Sequence, residues 1–415
     1  MVLNCILGAL AVLSQLLLLW QWLVARRFPL HQRSAELRFG ADTPPKLNSP
    51  NRSSAFQSGV TLLKPLKGAD EFTDLCLRSW LAQDYAGSVQ TLFGVATADD
   101  PAVAVVRKLL VEFPKADAQL VVCPELLGAN AKVSTLVQLE RLAKHELVCV
   151  SDADVRVPED FLAEAVTALN PPLTPPGRGT DSGATLVNCF YRLANPMTLA
   201  MQCEAVAINA DFWSQVLQSC SLKPMDFSLG AAMVTRRAEL AGICGFEAIK
   251  DCLADDYQLG NRIAKRGGRI EISPIVVECW DAPMGWAAMW KHQLRWARTI
   301  RVCQPVPYFF SILSNATLWP LLWAVGQWNR PVFLFLGVAV VARLLVTADL
   351  QRRLRGKVEM NCPPLHVGGY GDGFWFAPVK DILQVAVWAL AFVGNTIEWR
   401  GRRMKLRRDG TLISA

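Results

Sequence analysis

The first 25 residues carry no Lys, Arg, Asp or Glu and are dominated by Leu, Val, Ala and Trp. At about 1.5 Å of rise per residue, about 20 helical residues cross a hydrocarbon core, so residues 3–24 read as a membrane-spanning helix. A cleaved signal peptide is the competing reading. It would call for a basic start and a small-residue cleavage site, and the Arg26-Arg27 pair reads instead as a stop-transfer flank. These arginines place the following segment on the cytoplasmic side.

The rest cannot all be membrane. Apolar residues make up 52% and charged residues 19% of the 415, against about 45–50% and about 25% in a soluble domain. The chain leans toward the bilayer without filling it. Apolar stretches at 308–326 and 332–346, split by Gln327-Trp328-Asn329-Arg330, predict a hairpin with Trp319, Trp323 and Trp328 near an interface. A last stretch, 382–397, precedes the basic run Trp399-Arg400-Gly401-Arg402-Arg403-Met404-Lys405-Leu406-Arg407-Arg408. That run and the loop with Arg352, Arg353, Arg355 and Lys357 both prefer the cytoplasm. The two preferences conflict if 382–397 spans fully. Either that stretch is re-entrant or interfacial, or the charge rule is broken there.

The 43 Lys+Arg against 36 Asp+Glu leave +7, and outside the two basic runs acid nearly balances base. No nucleic-acid partner is expected from such a distribution. The 12 cysteines form no Cys-x-x-Cys pairs, and none of the 4 histidines stands at Cys/His ligand spacing. A zinc site is therefore not expected, and the thiols read as reduced and cytosolic.

Between the apolar ends lies a soluble body, preceded by a linker within 28–58 that is rich in Pro and Ser. Short β-branched runs (Val60-Thr61-Leu62-Leu63, Thr91-Leu92-Phe93-Gly94-Val95, Leu120-Val121-Val122, Leu147-Val148-Cys149-Val150) alternate with helical patterns at 101–113 and 132–144. This alternation predicts an α/β, doubly wound, mostly parallel sheet. Residues 171–177, rich in Pro, read as a loop.

Parallel sheets bind ligands at the carboxyl ends of their strands, and there this chain is acidic. The run 147–150 leads into Ser151-Asp152-Ala153-Asp154. Alternation sends Asp152 and Asp154 to one side, a pair suited to Mg²⁺ or Mn²⁺ shared with substrate phosphates; a turn or helix cap is the alternative. Asp99-Asp100-Pro101 reads first as a helix start, with a capping Asp still able to face a ligand. Asp255-Asp256-Tyr257 opens a helix at 258–265, so it is either a cap or a general base made more basic by its like-charged neighbour. His292-Gln293-Leu294-Arg295-Trp296 precedes a membrane stretch. There Arg295 and Trp296 are either an interfacial anchor or a diphosphate and sugar site.

In this order, Gly59-Val60-Thr61-Leu62-Leu63-Lys64-Pro65-Leu66-Lys67-Gly68, Asp99-Asp100-Pro101-Ala102, Gly128-Ala129-Asn130-Ala131-Lys132-Val133, Asp152-Ala153-Asp154-Val155-Arg156-Val157, Asp255-Asp256-Tyr257 and Arg295-Trp296 resemble the ceramide glucosyltransferase family. The likeness covers about 59–301 plus the apolar flanks. It implies a GT-A catalytic domain at 59–303, after an anchor at 1–27 and the linker at 28–58. Membrane segments at 304–399 and a basic tail at 400–415 would follow. Asn209-Ala210-Asp211-Phe212-Trp213 and the basic tail are similar to bacterial members of that family, tied to hopanoid lipids, which move N-acetylglucosamine to a polyol.

The resemblance implies a UDP-sugar donor, a lipid acceptor (ceramide or a hopanoid polyol), and Mn²⁺ or Mg²⁺. It also implies an integral membrane enzyme with a cytoplasmic catalytic domain, in the inner membrane if the bacterial subgroup is the right one. Asp100, with Asp99, would meet the uridine, and Pro65 and Lys132 would line the nucleotide pocket. Asp152 and Asp154 would hold metal and diphosphate. Asp256, beside Asp255, would be the base, with Arg295 and Trp296 completing the site. His292 stands where the family usually has Gln or Arg, which weakens the role of that position. Two rivals are a processive polysaccharide synthase, which calls for more spans, and an inactive membrane scaffold, which has no use for Asp256.

Overall fold

The computed structural model describes residues 1–32, 58–169, 183–356, 373–399 and 402–414. Most of the expected linker, the loop at 171–177, and Lys357, Cys362, Arg400 and Gly401 lie outside the described residues.

β1 (Val60–Pro65) is buried along its whole length, as befits a strand covered by helices on both faces. β2 (Val89–Val95), β3 (Asp117–Val122) and β4 (Leu147–Ser151) are the other strands anticipated from the β-branched runs. β5 (Val155–Arg156), β6 (Leu186–Leu193), β7 (Ala232–Arg236) and β8 (Ile270–Cys279) complete the sheet, in the order β3-β2-β1-β4-β7-β6-β8-β5. β3-β2-β1-β4 and β6-β8 pair in parallel, whereas β7 runs antiparallel to β4 and β6, and β5 antiparallel to β8. The result is a mostly parallel mixed sheet. The pleat sorts β4 cleanly: Leu147 and Cys149 enter one core with Val60, Leu62, Phe161 and Leu162. Val148 and Val150 enter the other, with Leu63, Leu136, Phe190 and Trp213.

Among the described residues three helices, Val2–Arg27, Arg330–Arg355 and Phe374–Ala391, are long and apolar enough to cross a membrane. The pair Pro305–Ser314 and Leu318–Gly326 is bent by 53° and would be a fourth if it is one broken span. The bend has a cause. Asn315 Oδ1 accepts from the Thr317 and Leu318 amides, and Asn315 Nδ2 donates to the Asp381 carbonyl at 2.7 Å. The first helix is fastened to the sheet where it ends, because the His31 amide donates to the Pro274 carbonyl at 2.7 Å. His31 Nε2 also lies 3.0 Å from the Arg353 carbonyl, so the basic end of the Arg330–Arg355 helix reaches the same place.

The stretch at 382–397 is not one apolar element. Its helix stops at Ala391, and Ile397 belongs to β9 (Thr396–Trp399), which pairs with β10 (Arg402–Leu406) and β11 (Leu412–Ser414). The boundary expected at 399/400 falls between β9 and β10, which pair antiparallel. This small sheet packs Ile397, Met404, Leu406 and Leu412 against Leu253 of the catalytic body. Leu253 N donates to the Gly410 carbonyl at 3.1 Å and Leu412 N to the Asp251 carbonyl at 2.7 Å. At the other end of the helix, a Cβ on Gly373 would lie 2.7 Å from the Gln202 side chain. Both ends of the helix thus rest on the body that carries the eight-stranded sheet.

A buried ionic cluster joins the body to the apolar helices. Arg343 meets both Asp211 oxygens at 2.9 Å and Asp381 at 2.8 and 3.0 Å, and Lys380 adds a second pair to Asp211. Arg343, Asp211 and Asp381 side chains are each at most 8% exposed. Asp211 sits in a π-helical turn, Ala207–Phe212, between the Leu199–Val206 and Trp213–Cys220 helices.

Candidate active site

The carboxyl ends of β1, β4, β6 and β8 share one edge of the sheet, and the acidic residues gather there. Asp152 follows β4, and its amide donates to the Ala231 carbonyl at 3.3 Å. Lys132, in the first turn of the Ala131–Glu140 helix, inserts an 8%-exposed side chain between Asp152 (2.6 Å) and Asp255 (2.9 Å). Asn130 caps that helix by accepting from Val133 N at 3.2 Å, and its amide donates to the Cys252 carbonyl at 2.8 Å. The cap thereby locks Lys132 to the loop that delivers Asp255 and Asp256. Burial alone would lower the Lys132 ammonium pKa, but Asp152 and Asp255 outweigh it and hold it above its ordinary value.

Asp256 lies in the first turn of the Asp255–Lys265 helix. One oxygen accepts from the Tyr257 amide at 2.7 Å. The other faces Gly230, where a Cβ would come within 2.8 Å. Gly260 permits a similar closeness behind it, since a Cβ there would lie 2.3 Å from the Ser228 amide. Burial and the like charge of Asp255 push the Asp256 carboxyl up to about 7, against the pull of Lys132. Asp154 is also pushed to about 7, by burial and by the charges of Asp152 and Asp281. Both lie on the acid side of the site, and Tyr191 of β6 feels Asp256, Asp152 and Asp154 together, its phenol held well above its usual value chiefly by burial.

On the opposite side stands the Trp286–Cys303 helix. The Trp296 ring is 6.5 Å from Tyr191 and 6.0 Å from Phe212, forming an aromatic wall. His292 lies edge-on to Trp296 at 4.8 Å, and its Nδ1 is 2.6 Å from Glu204 Oε1. Arg295 is half-buried on the same helix.

Asp100 is engaged as a cap. Its carboxylate accepts from Ala102 N at 2.9 Å and from Gly68 N at 2.9 Å, which ties the loop after Pro65 and β1 to the Ala102–Glu112 helix. Asp99 is exposed, and a hydrogen bond from Thr97 lowers its carboxyl pKa. The structure therefore clusters Lys132, Asp152, Asp154, Asp255, Asp256 and Trp296, while Asp99, Asp100 and Pro65 belong to the neighbouring β1–β2 rim.

Among the described residues no group of three or more His, Cys, Asp and Glu is arranged as a ligand set. The donor chemistry still fits a hard cation of the kind bound by one or two carboxylates plus substrate phosphates. Asp154 is pushed up by burial and by the charge of Asp152 beside it, which a cation would relieve.

Three neighbours escaped the sequence reading as site residues. Lys64 is fully buried in β1, contacts the Asp152 carbonyl and lies 5.0 Å above the Trp80 ring, with burial lowering its pKa to about 8. A lysine inside an apolar strand is a visible signal. Asp281 and Glu204 carried none, because only the fold brings them to Asp154 and His292.

An acidic edge at the carboxyl ends of a mostly parallel sheet is where such folds bind their ligands, and the family match gives the class of this one as a sugar transferase. The chain belongs to glycosyl transferase family 21, whose model matches residues 15–412. It is similar to the ceramide glucosyltransferase of Komagataella phaffii, 33% identical over 116 residues, which are 27% of this chain and 23% of that protein. Ceramide glucosyltransferase 1 of Caenorhabditis elegans is 30% identical over 221 residues, 52% of this chain and 44% of that protein. The matched segments thus span less than half the length of these curated relatives. Among solved structures, the mannosyltransferase PcManGT from Pyrobaculum calidifontis, in complex with GDP-Man and Mn²⁺, is similar at 18% identity and a TM-score of 0.49, covering 94% of this chain and 99% of that one.

Proposed function

We propose that the chain is a membrane-bound inverting glycosyltransferase that moves a hexose from UDP-glucose or UDP-N-acetylglucosamine to a lipid hydroxyl. The observation that carries this reading is Asp256: a carboxyl pushed to about 7, across from an aromatic wall, in a chain with helices apolar enough for a bilayer. A base poised near neutrality removes a hydroxyl proton most effectively.

In the reaction, Asp256 takes the proton of the acceptor hydroxyl as its oxygen forms a bond to the anomeric carbon. The bond from that carbon to the diphosphate oxygen breaks, and UDP leaves with the electron pair. Attack comes from the face opposite the leaving group, so a single displacement inverts the centre and no carboxylate nucleophile is required. Arg295 would stabilise charge growing on the diphosphate. Asp152 and Asp154 would hold Mn²⁺ or Mg²⁺, whose charge offsets that of the diphosphate when bound. Lys132 fixes Asp152 and Asp255 in register. Pro65, Asp99 and Asp100 form the rim assigned to the uridine, and Trp296 offers the sugar or the lipid a flat apolar face. Arg26-Arg27 support a cytoplasmic catalytic body, in the inner membrane for a bacterial chain.

The acceptor is ceramide or, following the Asn209–Trp213 likeness, a hopanoid polyol. Membranes holding the chain are incubated with labelled UDP-glucose or UDP-N-acetylglucosamine and either lipid, and the product is weighed by mass spectrometry. A glycolipid of one donor–acceptor pair is expected. Label found only as free sugar or as a long polymer would overturn the reading.

A further inference from the structure

A cavity of about 20 Å³ lies between the Leu199–Val206, Trp286–Cys303 and Ala377–Ala391 helices, room for one water-sized group. Its wall is mixed: Glu204, Gln293 and Lys380 are polar, while Met289, Leu383 and Val387 are apolar. Glu204 is 2% exposed. Its Oε1 accepts from Gln293 Nε2 at 2.9 Å and lies 2.6 Å from His292 Nδ1. Its Oε2 is buried and has no hydrogen-bond partner among the described residues. Leaving such an acceptor unpaired costs about 1–3 kcal/mol, which a ligand hydroxyl would recover. Lys380 in the same wall disfavours a cation as the occupant.

Two neighbours give the cavity its orientation. Through His292 and Trp296 it adjoins the aromatic wall of the active site. Through Leu383 and Val387 it adjoins the Phe374–Ala391 segment, which is apolar enough for a membrane.

We propose that this cavity is a subsite for one hydroxyl of the acceptor's headgroup. Glu204 Oε2 accepts a hydrogen bond from a hydroxyl of a lipid alcohol or polyol, and the lipid's apolar part extends past Leu383. The hydroxyl bound here is a second one, used for recognition, so that the reacting hydroxyl is presented to Asp256. This rests on the proposed function and adds to it how the acceptor class is selected.

The test uses the full chain in nanodiscs with short-chain ceramide, UDP-glucose and Mn²⁺. Glu204→Gln should raise the acceptor KM about tenfold while UDP affinity, measured by calorimetry, stays within about twofold of wild type. Leu383→Trp, which fills the apolar wall and leaves Glu204 in place, should raise the acceptor KM in the same way. A photoreactive short-chain ceramide, added without donor, should label the 286–303 and 377–391 helices. Unchanged acceptor KM in both variants, or labelling confined to other segments, overturns the subsite. Absence of transfer by the wild type, with that labelling intact, counts against the proposed reaction and not against the subsite.

Discussion

Two buried charge clusters, one on the membrane side and one on the catalytic edge, solve the same electrostatic problem differently. On the membrane side, Arg343 and Lys380 face Asp211 and Asp381, so the charges balance and every pair is closed. Burial would raise the Asp211 carboxyl, but Arg343 and Lys380 outweigh it and bring it down to about 2. On the catalytic edge, Asp152, Asp154, Asp255, Asp256 and Asp281 crowd around Lys64 and Lys132, and two of the carboxyls rise to about 7. The contrast separates a latch from a site. A balanced cluster has nothing left to bind and ties the body to its apolar helices, whereas an acid excess is stable only at a cost, which an incoming cation or a proton relieves.

The contrast breaks most visibly if the acid excess needs no cation. EDTA should reduce turnover to background and Mn²⁺ or Mg²⁺ should restore it; turnover indifferent to EDTA removes the metal role from Asp152 and Asp154. Next in size, Asp256→Asn should lower kcat by about 10²- to 10⁴-fold, while UDP binding by calorimetry survives. Full activity in that variant would end its assignment as base.

The latch predicts a loss of stability. Arg343→Met leaves Asp211 and Asp381 facing Lys380 alone and should cost about 3–5 kcal/mol of stability, seen as a lower unfolding temperature in detergent. An unchanged unfolding temperature would show that the cluster ties nothing. The smallest effect is on pH dependence. Asp256 accepts a proton only as the carboxylate, so wild-type kcat/KM should rise as pH climbs through about 7. Asp255→Asn removes the like charge and should move that limb to lower pH. A limb that stays in place would show that burial alone sets the Asp256 value.

These clusters also mark how far the residues themselves could be read. The strands β1, β2 and β4 were legible as β-branched runs, and the acidic pairs at their ends were visible one by one, because strand and cap signals are local. The latch was not legible. Arg343 interrupts an apolar stretch, but its partners Asp211 and Asp381 lie 132 and 38 residues away. Asp281 was hidden for the same reason, since only the fold brings it to Asp154, whereas Lys64 stood out as a charge inside an apolar strand. The C-terminal sheet was hidden differently. In β10 Arg403 and Lys405 alternate with the buried Met404 and Leu406, a strand period that the density of basic charge disguised as a basic tail. The hydrophobic pattern, read at a spacing of two, carried the better information.

The stereochemistry of the product tests the central claim most directly. UDP-glucose and UDP-N-acetylglucosamine carry α-linked sugars, and one displacement assisted by Asp256 turns that centre over. NMR of the purified glycolipid should show only the β-anomer. An α-linked product would require a covalent or front-face route and would contradict the account.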